Sequence, residues 1–241
     1  MNFPKGRTMM VSAYENNEVV EKVWRTSDQT CRRHVNPDGS AGGWVALTAN
    51  VAPTVYIGPD AIVLDYAQVS GNAQIYGKTQ IHDHAQVSGD TRIYGGAKIS
   101  GSAQIYGRAQ IFGRAQIYGS ARVFDDAQVY DDARVYGHGF VYDHARIFGS
   151  AKVLGRTEIW GSAQIYDSAQ ISGTAQIYDT AHVSGTAQIF GDSRVFGHAE
   201  IFGHARIYGD ARISGHANVY GSARILGKTR LSGRAQVYSN A

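Results

Sequence analysis

The sequence is poor in the features on which several functional classes depend. It contains a single cysteine, Cys31, which excludes an internal disulfide framework and a cysteine-based zinc site. Residues 1–17 hold no apolar run of signal-peptide length, and no later run is long enough to span a bilayer. We therefore expect a protein made in the cytoplasm by default. A component of a phage virion or of another assembly would have the same features.

The chain also lacks a strong excess of charge. The net charge is +3 over 241 residues, well below that of a dedicated nucleic-acid binder. No phosphate-binding loop, nucleophile elbow or dinucleotide fingerprint is found. A dilute stripe of basic residues, each just before an aliphatic of the repeat, is expected to be a solvated surface, so nucleic acid is not an expected partner. The stripe consists of Lys98, Arg134, Lys152, Arg206 and Arg224. A membrane is not an expected partner either, since no run could span a bilayer.

What the sequence has in abundance is a strict six-residue repeat. Every sixth residue from Val45 to Val237 is Val or Ile, except Leu231, with no insertion or deletion. Two residues before each aliphatic lies a small residue, nearly always Ala, with Val55 as the bulky exception. A fixed period of this kind indicates units that bury their apolar side only by stacking on one another. The repeat therefore predicts an all-β solenoid over residues 45–241.

Each hexapeptide predicts a short strand followed by a tight corner. In Ala103-Gln104-Ile105-Tyr106, small and aliphatic residues alternate with polar and aromatic ones, so Ala103 and Ile105 should point inward. We name the residue before the aliphatic the mid-strand position and the residue after it the ladder position. The next residue, the corner position, is Gly or Asp in every unit from Asp65 to Gly233. Both residue types tolerate positive φ, as a tight corner requires.

This pattern resembles the hexapeptide-repeat, left-handed parallel β-helix proteins. Their order of aliphatic, three variable, small and variable residues fits residues 45–237 and departs at Val55. The resemblance implies triangular coils of eighteen residues, and hence about eleven coils here. It alone implies the left-handed sense, because general crossover rules favour the right hand. Residues 42–45, Gly-Gly-Trp-Val, are similar to the lead-in of bacterial and phage solenoids often labelled acetyltransferases.

The resemblance also raises an acyltransferase hypothesis. Acyltransferases of this class transfer to oxygen or nitrogen, use acetyl-CoA or a similar donor, and place a histidine base near a subunit boundary beside a loop that leaves the coil. No such loop interrupts residues 45–237, and the solenoid histidines lie mostly at corners. We assign no catalytic residue and expect no cofactor, with acetyl-CoA as the alternative. Stacked pairs such as His198 with His216 offer too few ligands to predict a metal site.

Residues 1–44 do not follow the repeat and predict a small N-terminal β cap. Residues 8–14 and 18–24 are β-prone runs separated by residues 15–17, as in a hairpin. Such a cap would cover the unpaired strand edges of the first coil. A docking role is the alternative, with Trp24, Trp44 and residues 32–34 as candidate contacts. At the other end the repeats reach Tyr238, and we expect a second copy or a partner to cover the last coil.

Sorting the ladder positions by the eighteen-residue period predicts three outer faces. The first face carries Tyr76, Tyr94, Phe112, Tyr130, Phe148, Tyr166, Ser184, Phe202, Tyr220 and Tyr238. The second face carries Tyr106, Phe124, Tyr142, Trp160, Tyr178 and Phe196, with serines at both ends. The third face is broken and carries Leu64, His82, Ser100, Tyr118, Tyr136, Leu154, Ser172, Phe190, Tyr208 and Leu226.

These rings are too large for an interior lined with Ala and Ile, so we expect them to stack outside the coil. Three interpretations stay open, namely stiffening of the rod, association of subunits along an aromatic face, and a platform for sugar rings or planar groups. We predict a non-enzymatic structural or binding module. Its expected partners are a second copy, through an aromatic face or the last coil, or else another protein or a glycan. The acyltransferase is the alternative.

Overall fold

The structure, a computed structural model, describes residues 8–15, 18–25 and 29–239, with side chains from residue 29 onward. All regular secondary structure in these residues is β. They contain no helix, and therefore none that could cross a membrane. The predicted all-β class is confirmed, and the chain forms a parallel β-solenoid of about eleven coils.

Four longer strands lie at the N-terminal side, and the last of them contains Val45, the first aliphatic of the repeat. They are β1 (Thr8–Glu15), β2 (Glu18–Arg25), β3 (Thr30–Val35) and β4 (Ala41–Ala46). Each pairs antiparallel with the next, and β4 then pairs in parallel with the first strand of the third face, Ile62–Val63. Residues 16 and 17, which belong to the predicted hairpin turn, and the side chain of Trp24 lie outside the described part of the chain. The N-terminal strands thus continue the sheet of the third face.

The solenoid strands are mostly two residues long and begin six residues apart. Those of the third face are Ile62–Val63, Gln80–Ile81, Lys98–Ile99, Gln116–Ile117, Arg134–Val135, Lys152–Val153, Gln170–Ile171, Gln188–Ile189, Arg206–Ile207 and Arg224–Ile225. Those of the second face are Asn50–Val51, Gln68–Val69, Gln86–Val87, Gln104–Ile105, Arg122–Val123, Phe140–Val141, Glu158–Ile159, Gln176–Ile177, Arg194–Val195, Arg212–Ile213 and Arg230–Leu231. Those of the first face are Tyr56–Ile57, Gln74–Ile75, Arg92–Ile93, Gln110–Ile111, Gln128–Val129, Arg146–Ile147, Gln164–Ile165, His182–Val183, Glu200–Ile201, Asn218–Gly221 and Gln236–Ser239.

The register between coils is eighteen residues throughout. Gln86 pairs with Gln104, for example, and Val87 pairs with Ile105. Backbone bonds also continue outside the short strands, where the amide of the ladder residue Tyr94 donates to the carbonyl of Ile111 at 2.9 Å. Three sheets therefore run the length of the solenoid, one for each face. The eighteen-residue coil implied by the resemblance is confirmed.

The interior is a single column of small and aliphatic side chains. Ala103, Ile105, Ala163 and Ile165 are all at most 1% exposed, and the same holds for nearly every inward position from Val55 to Val219. The bulkier Val55 is also fully buried. Alternate residues of each short strand point to opposite sides, which places the small residue and the aliphatic on the same inner side. The inside and outside assignments made from the repeat are correct.

The corner positions have positive φ from Asp65 to Gly233. Within residues 29–239, every residue with positive φ that is not Gly is an Asp at a corner position. The Asp carboxylates have a second role, since Asp131 Oδ2 accepts a bond from Gly149 N at 3.1 Å and Asp167 Oδ2 accepts one from Gly185 N at 2.9 Å. An Asp at a corner therefore joins its own coil to the next.

At Gly43 in β4, the backbone passes very close to the backbone of residue 61 in the following coil. A Cβ atom on Gly43 would lie 2.3 Å from the carbonyl oxygen of Ala61 and 2.6 Å from a methyl group of Ile57. Arg33 Nη1 donates to Gly42 O at 2.9 Å, and its guanidinium lies 4.2 Å from the ring centre of Trp44. Arg33 and Trp44, both candidate docking contacts, thus hold β3 and β4 against each other.

Candidate functional site

The ladder residues of the second face form one continuous ring stack. Ring centres lie 4.3–5.8 Å apart and the planes are within 7° of parallel. The stack consists of Tyr106, Phe124, Tyr142, Trp160, Tyr178 and Phe196. Its spacing follows the rise of the coil, because strands in one sheet lie about 4.8 Å apart. The backbone therefore sets the separation at which rings pack against each other.

The first face carries two stacks. One runs from Tyr94 to Tyr166, with ring centres 4.6–5.0 Å apart, and includes Phe112, Tyr130 and Phe148. The other joins Phe202, Tyr220 and Tyr238 at 5.0 and 5.3 Å. Tyr76 instead packs at 5.0 Å against Tyr56, with the planes tilted by 35°. The break between the two stacks falls at Ser184.

The third face carries only isolated ring pairs. Tyr118 stacks on Tyr136 at 4.8 Å, and Phe190 stacks on Tyr208 at 5.0 Å. The prediction that this ladder is broken agrees with these contacts. The first and second faces are therefore the ones with extended aromatic surface.

Rings inside a stack are half-buried, because each is covered by the rings before and after it. Exposure is higher next to the stack ends, reaching 40% for Tyr76, 37% for Phe202 and 61% for Tyr238. The predicted position outside the coil is correct. The apolar area offered to a partner is nevertheless smaller than the number of rings suggests, since much of each ring face is already covered.

Burial within the stacks also shifts the pKa of several tyrosine side chains. Burial raises the pKa of Tyr106, Tyr130, Tyr142 and Tyr178 above the ordinary value of 10.0, because the phenolate is harder to solvate there. At Tyr142 the neighbouring carboxylate of Glu158 raises the pKa further. These four tyrosines therefore stay neutral through the physiological range.

The aromatic surface of the second face extends sideways at the coil of Tyr142, because the mid-strand residue of that coil, Phe140, is also aromatic. Arg122, Phe140 and Glu158 are the mid-strand residues of three consecutive coils. The Arg122 guanidinium lies 5.3 Å from the ring centre of Phe140, and Glu158 Oε2 accepts a bond from Gln176 Nε2 at 3.1 Å. An apolar centre is thus flanked by one positive and one negative group. The repeat pattern did not single out these three residues, because mid-strand positions elsewhere are mostly Gln and Arg.

The break in the first face forms a slot. It is a cavity of about 340 Å³ lined by Tyr166, His182, Ser184, Glu200, Ile201 and Phe202. Ser184 is only 9% exposed, and the rings of His182 and Tyr166 are nearly perpendicular, with centres 6.5 Å apart. The repeat predicts that Ser184 lies between two rings, but it predicts no role for His182 or Glu200.

The corner histidines predicted from the sequence are exposed. His198 and His216 stack at 4.7 Å, while Thr180 Oγ1 and Thr186 Oγ1 lie 2.6 Å from Nδ1 of His198 and His204. His144 lies 3.9 Å from Asp126. These contacts join neighbouring coils at the corners. The acyltransferase hypothesis and its acyl donor stay predictions.

One group of potential metal ligands was not anticipated. Ligand atoms of Asp65, His82 and Asp83 lie within 4.8 Å of one another. Asp65 contacts Gln29 through one oxygen and the amide of Asp83 through the other, at 2.9 Å. Asp83 in turn accepts a bond from Gly101 N at 2.8 Å, which lowers its pKa. These carboxylates therefore already serve as links between the coils.

Two further surface grooves are lined by charged and amide side chains. One lies along the edge between the third and second faces, with Arg194, Arg212, Lys228 and Arg230 beside Asp192 and Asp210. The other lies between the second and first faces, where Arg108 pairs with Asp126 at 2.5 Å. Both grooves mix the two signs of charge.

Comparison with known proteins supports the repeat architecture. The family model described as YdcK Beta solenoid repeat matches residues 67–83, 127–138 and 205–221. Each matched segment begins at an inward alanine and spans at most one coil. A comparison with curated proteins gave no match. The chain is thus similar, in these three segments, to a β-solenoid repeat family.

Proposed function

We propose that this chain is a rigid, self-associating β-solenoid that acts as a structural and binding module through its aromatic faces. The observation that carries the proposal is the second face, where a stack of six rings runs beside the mid-strand Phe140. A continuous row of aromatic rings on the surface of a protein is typical of an interaction site. Half-buried rings held by the backbone also lose little conformational freedom on binding.

The charges beside Phe140 favour association with a second copy in an antiparallel arrangement. A two-fold axis parallel to the strands, passing through the coil of Phe140, inverts the order of the coils. Arg122 would then face Glu158 of the partner subunit, and Glu158 would face the partner's Arg122. Five of the six rings of the stack are also matched under this operation, since two rings lie on each side of Tyr142 and face rings of the partner.

Charge reversal tests this arrangement. We expect wild-type protein to show concentration-dependent dimers in light scattering on a sizing column. Arg122→Glu and Glu158→Arg should each weaken the dimer at least tenfold, because each places like charges opposite one another. The double variant should restore it. Arg146→Glu, a matched reversal at a mid-strand position of the first face, should have no effect.

Three results would count against the proposal. A wild-type monomer at every concentration would refute self-association. Dimers weakened equally by Arg146→Glu would show that general charge, and not the second face, controls assembly. A double variant as weak as the single ones would refute the antiparallel arrangement through Phe140.

A further inference from the structure

The slot at Ser184 lies where the row of aromatic ladder residues on the first face is interrupted between Tyr166 and Phe202. Within residues 29–239, Ser184 is the one ladder-position serine that has a Tyr or Phe ring one coil before it and another one coil after it. Rings in consecutive coils of this face stack at 4.6–5.3 Å. Tyr166 and Phe202 are two coils apart, which leaves about 10 Å between them along the rod. That distance is the space of one missing ring.

The walls of the slot are the two ring faces that the missing ring would have covered. Phe202 is 37% exposed, more than the rings inside the continuous stacks. A flat ring inserted here would contact Tyr166 on one side and Phe202 on the other, in the geometry that the ladder itself uses. Contacts of this kind contribute to affinity through stacking and through removal of apolar surface from water.

The floor and one side of the slot are polar. Ser184 Oγ lies at the base, and the mid-strand residues His182 and Glu200 lie beside it in adjacent paired strands. None of these three side chains makes a hydrogen bond with any described residue. No Lys or Arg lines the slot, and Glu200 is its one carboxylate. The chemistry therefore favours a ring whose edge donates hydrogen bonds.

From these features we infer that the slot binds one planar ring with an N–H-donating or cationic edge, such as an aromatic amidine or an amino-substituted heterocycle. The ring stacks between Tyr166 and Phe202, and its donor edge contacts the Glu200 carboxylate and Ser184 Oγ. This site lies on the first face, so it does not depend on the association proposed for the second face.

Benzamidine is a suitable probe, because it joins a phenyl ring to a planar cationic donor. We expect it to bind the wild-type chain in an NMR titration, with benzoate, a carboxylate of matching shape, binding at least tenfold more weakly. Glu200→Gln should weaken benzamidine binding about tenfold. Ser184→Tyr should abolish binding by filling the slot with the missing ring, and it should keep or raise the melting temperature. Ser172→Tyr on the third face is the matched control and should bind as wild type.

Several outcomes would overturn the inference. Benzamidine binding that survives in Ser184→Tyr would place it elsewhere, and loss in Ser172→Tyr as well would show nonspecific adsorption. Equal binding of benzoate would refute the donor edge. Binding of methyl glucoside in the absence of benzamidine binding would identify a sugar site instead. Light scattering of Ser184→Tyr separates the two proposals, because dimerisation through the second face should be unchanged.

Discussion

At the scale of single residues, the inward small position shows how hydroxyl groups are accommodated in an apolar column. Thr79 Oγ1 donates to the carbonyl oxygen of Tyr76 at 2.7 Å. Thr157 Oγ1 is buried without a hydrogen bond to any described residue. A buried hydroxyl without a partner costs free energy, whereas a bonded one does not.

We therefore predict opposite effects for two identical substitutions. Thr157→Val should raise the free energy of unfolding by about 1 kcal/mol, since it removes an unpartnered hydroxyl and keeps the shape of the side chain. Thr79→Val should lower it by about 1 kcal/mol through the lost hydrogen bond. Val fits this kind of site, as the buried Val55 shows. Urea denaturation of both variants checks the prediction, and equal effects would contradict it.

Much of the residue-level arrangement could be predicted because the repeat fixes which way each side chain points. The inward Ala and Ile residues and the Gly or Asp corners follow from six-residue counting and backbone sterics alone. The bond from Gly149 N to Asp131 does not, because it depends on where a carboxylate lies relative to the next coil. For the same reason, Ser184 could be placed between two rings, but the positions of His182 and Glu200 beside it could not.

At the scale of elements, the ring stacks couple the side chains of successive coils. Burial raises the pKa of Tyr106, Tyr142 and Tyr178 on the second face. A group whose folded pKa lies above its unfolded value contributes stability below the unfolded pKa and loses that contribution as the pH rises through the folded pKa. The stacks should therefore weaken in alkali and not in mild acid.

The second-face stack gives this dependence a direct test. We expect the melting temperature to be steady between about pH 7 and 9 and to fall above about pH 10, where tyrosines ionise. Tyr142→Phe should reduce the slope of that fall. Tyr66→Phe, which changes an exposed ring outside the three ladders, should leave the slope as in wild type. A slope that is identical in all three proteins would contradict a role for Tyr142.

At the scale of the whole molecule, the core is one uninterrupted column from Val45 to Ile225. Each coil contacts only its neighbours, so stability is close to a sum over coils and the contacts between them. A side chain that is too large for one coil therefore presses on the inward side chain of the next coil, which lies directly above it along the axis.

Two substitutions at the inward small position should show this with opposite signs. Ala163→Leu should destabilise the fold by about 1–3 kcal/mol, because it overfills a fully packed interior. Gly139→Ala should stabilise it by about 0.4–1 kcal/mol, because an alanine lowers the entropy of the unfolded chain. A Cβ there would lie 3.4–3.5 Å from its nearest neighbours, which is ordinary contact. Denaturant midpoints measure both, and a stable Ala163→Leu variant would contradict the interior packing.

Because the repeat is six residues long and the register is eighteen, successive hexapeptides fall on the three faces in turn. Inserting one hexapeptide would rotate everything beyond it by a third of a turn, so that the rings of the second face would continue into a different face. Inserting three hexapeptides would keep every ladder position on its own face and would add one strand to each of the three sheets. Rods of this kind can therefore change length in steps of one coil while keeping the chemistry of each face, and any other step would cut the aromatic stacks in two.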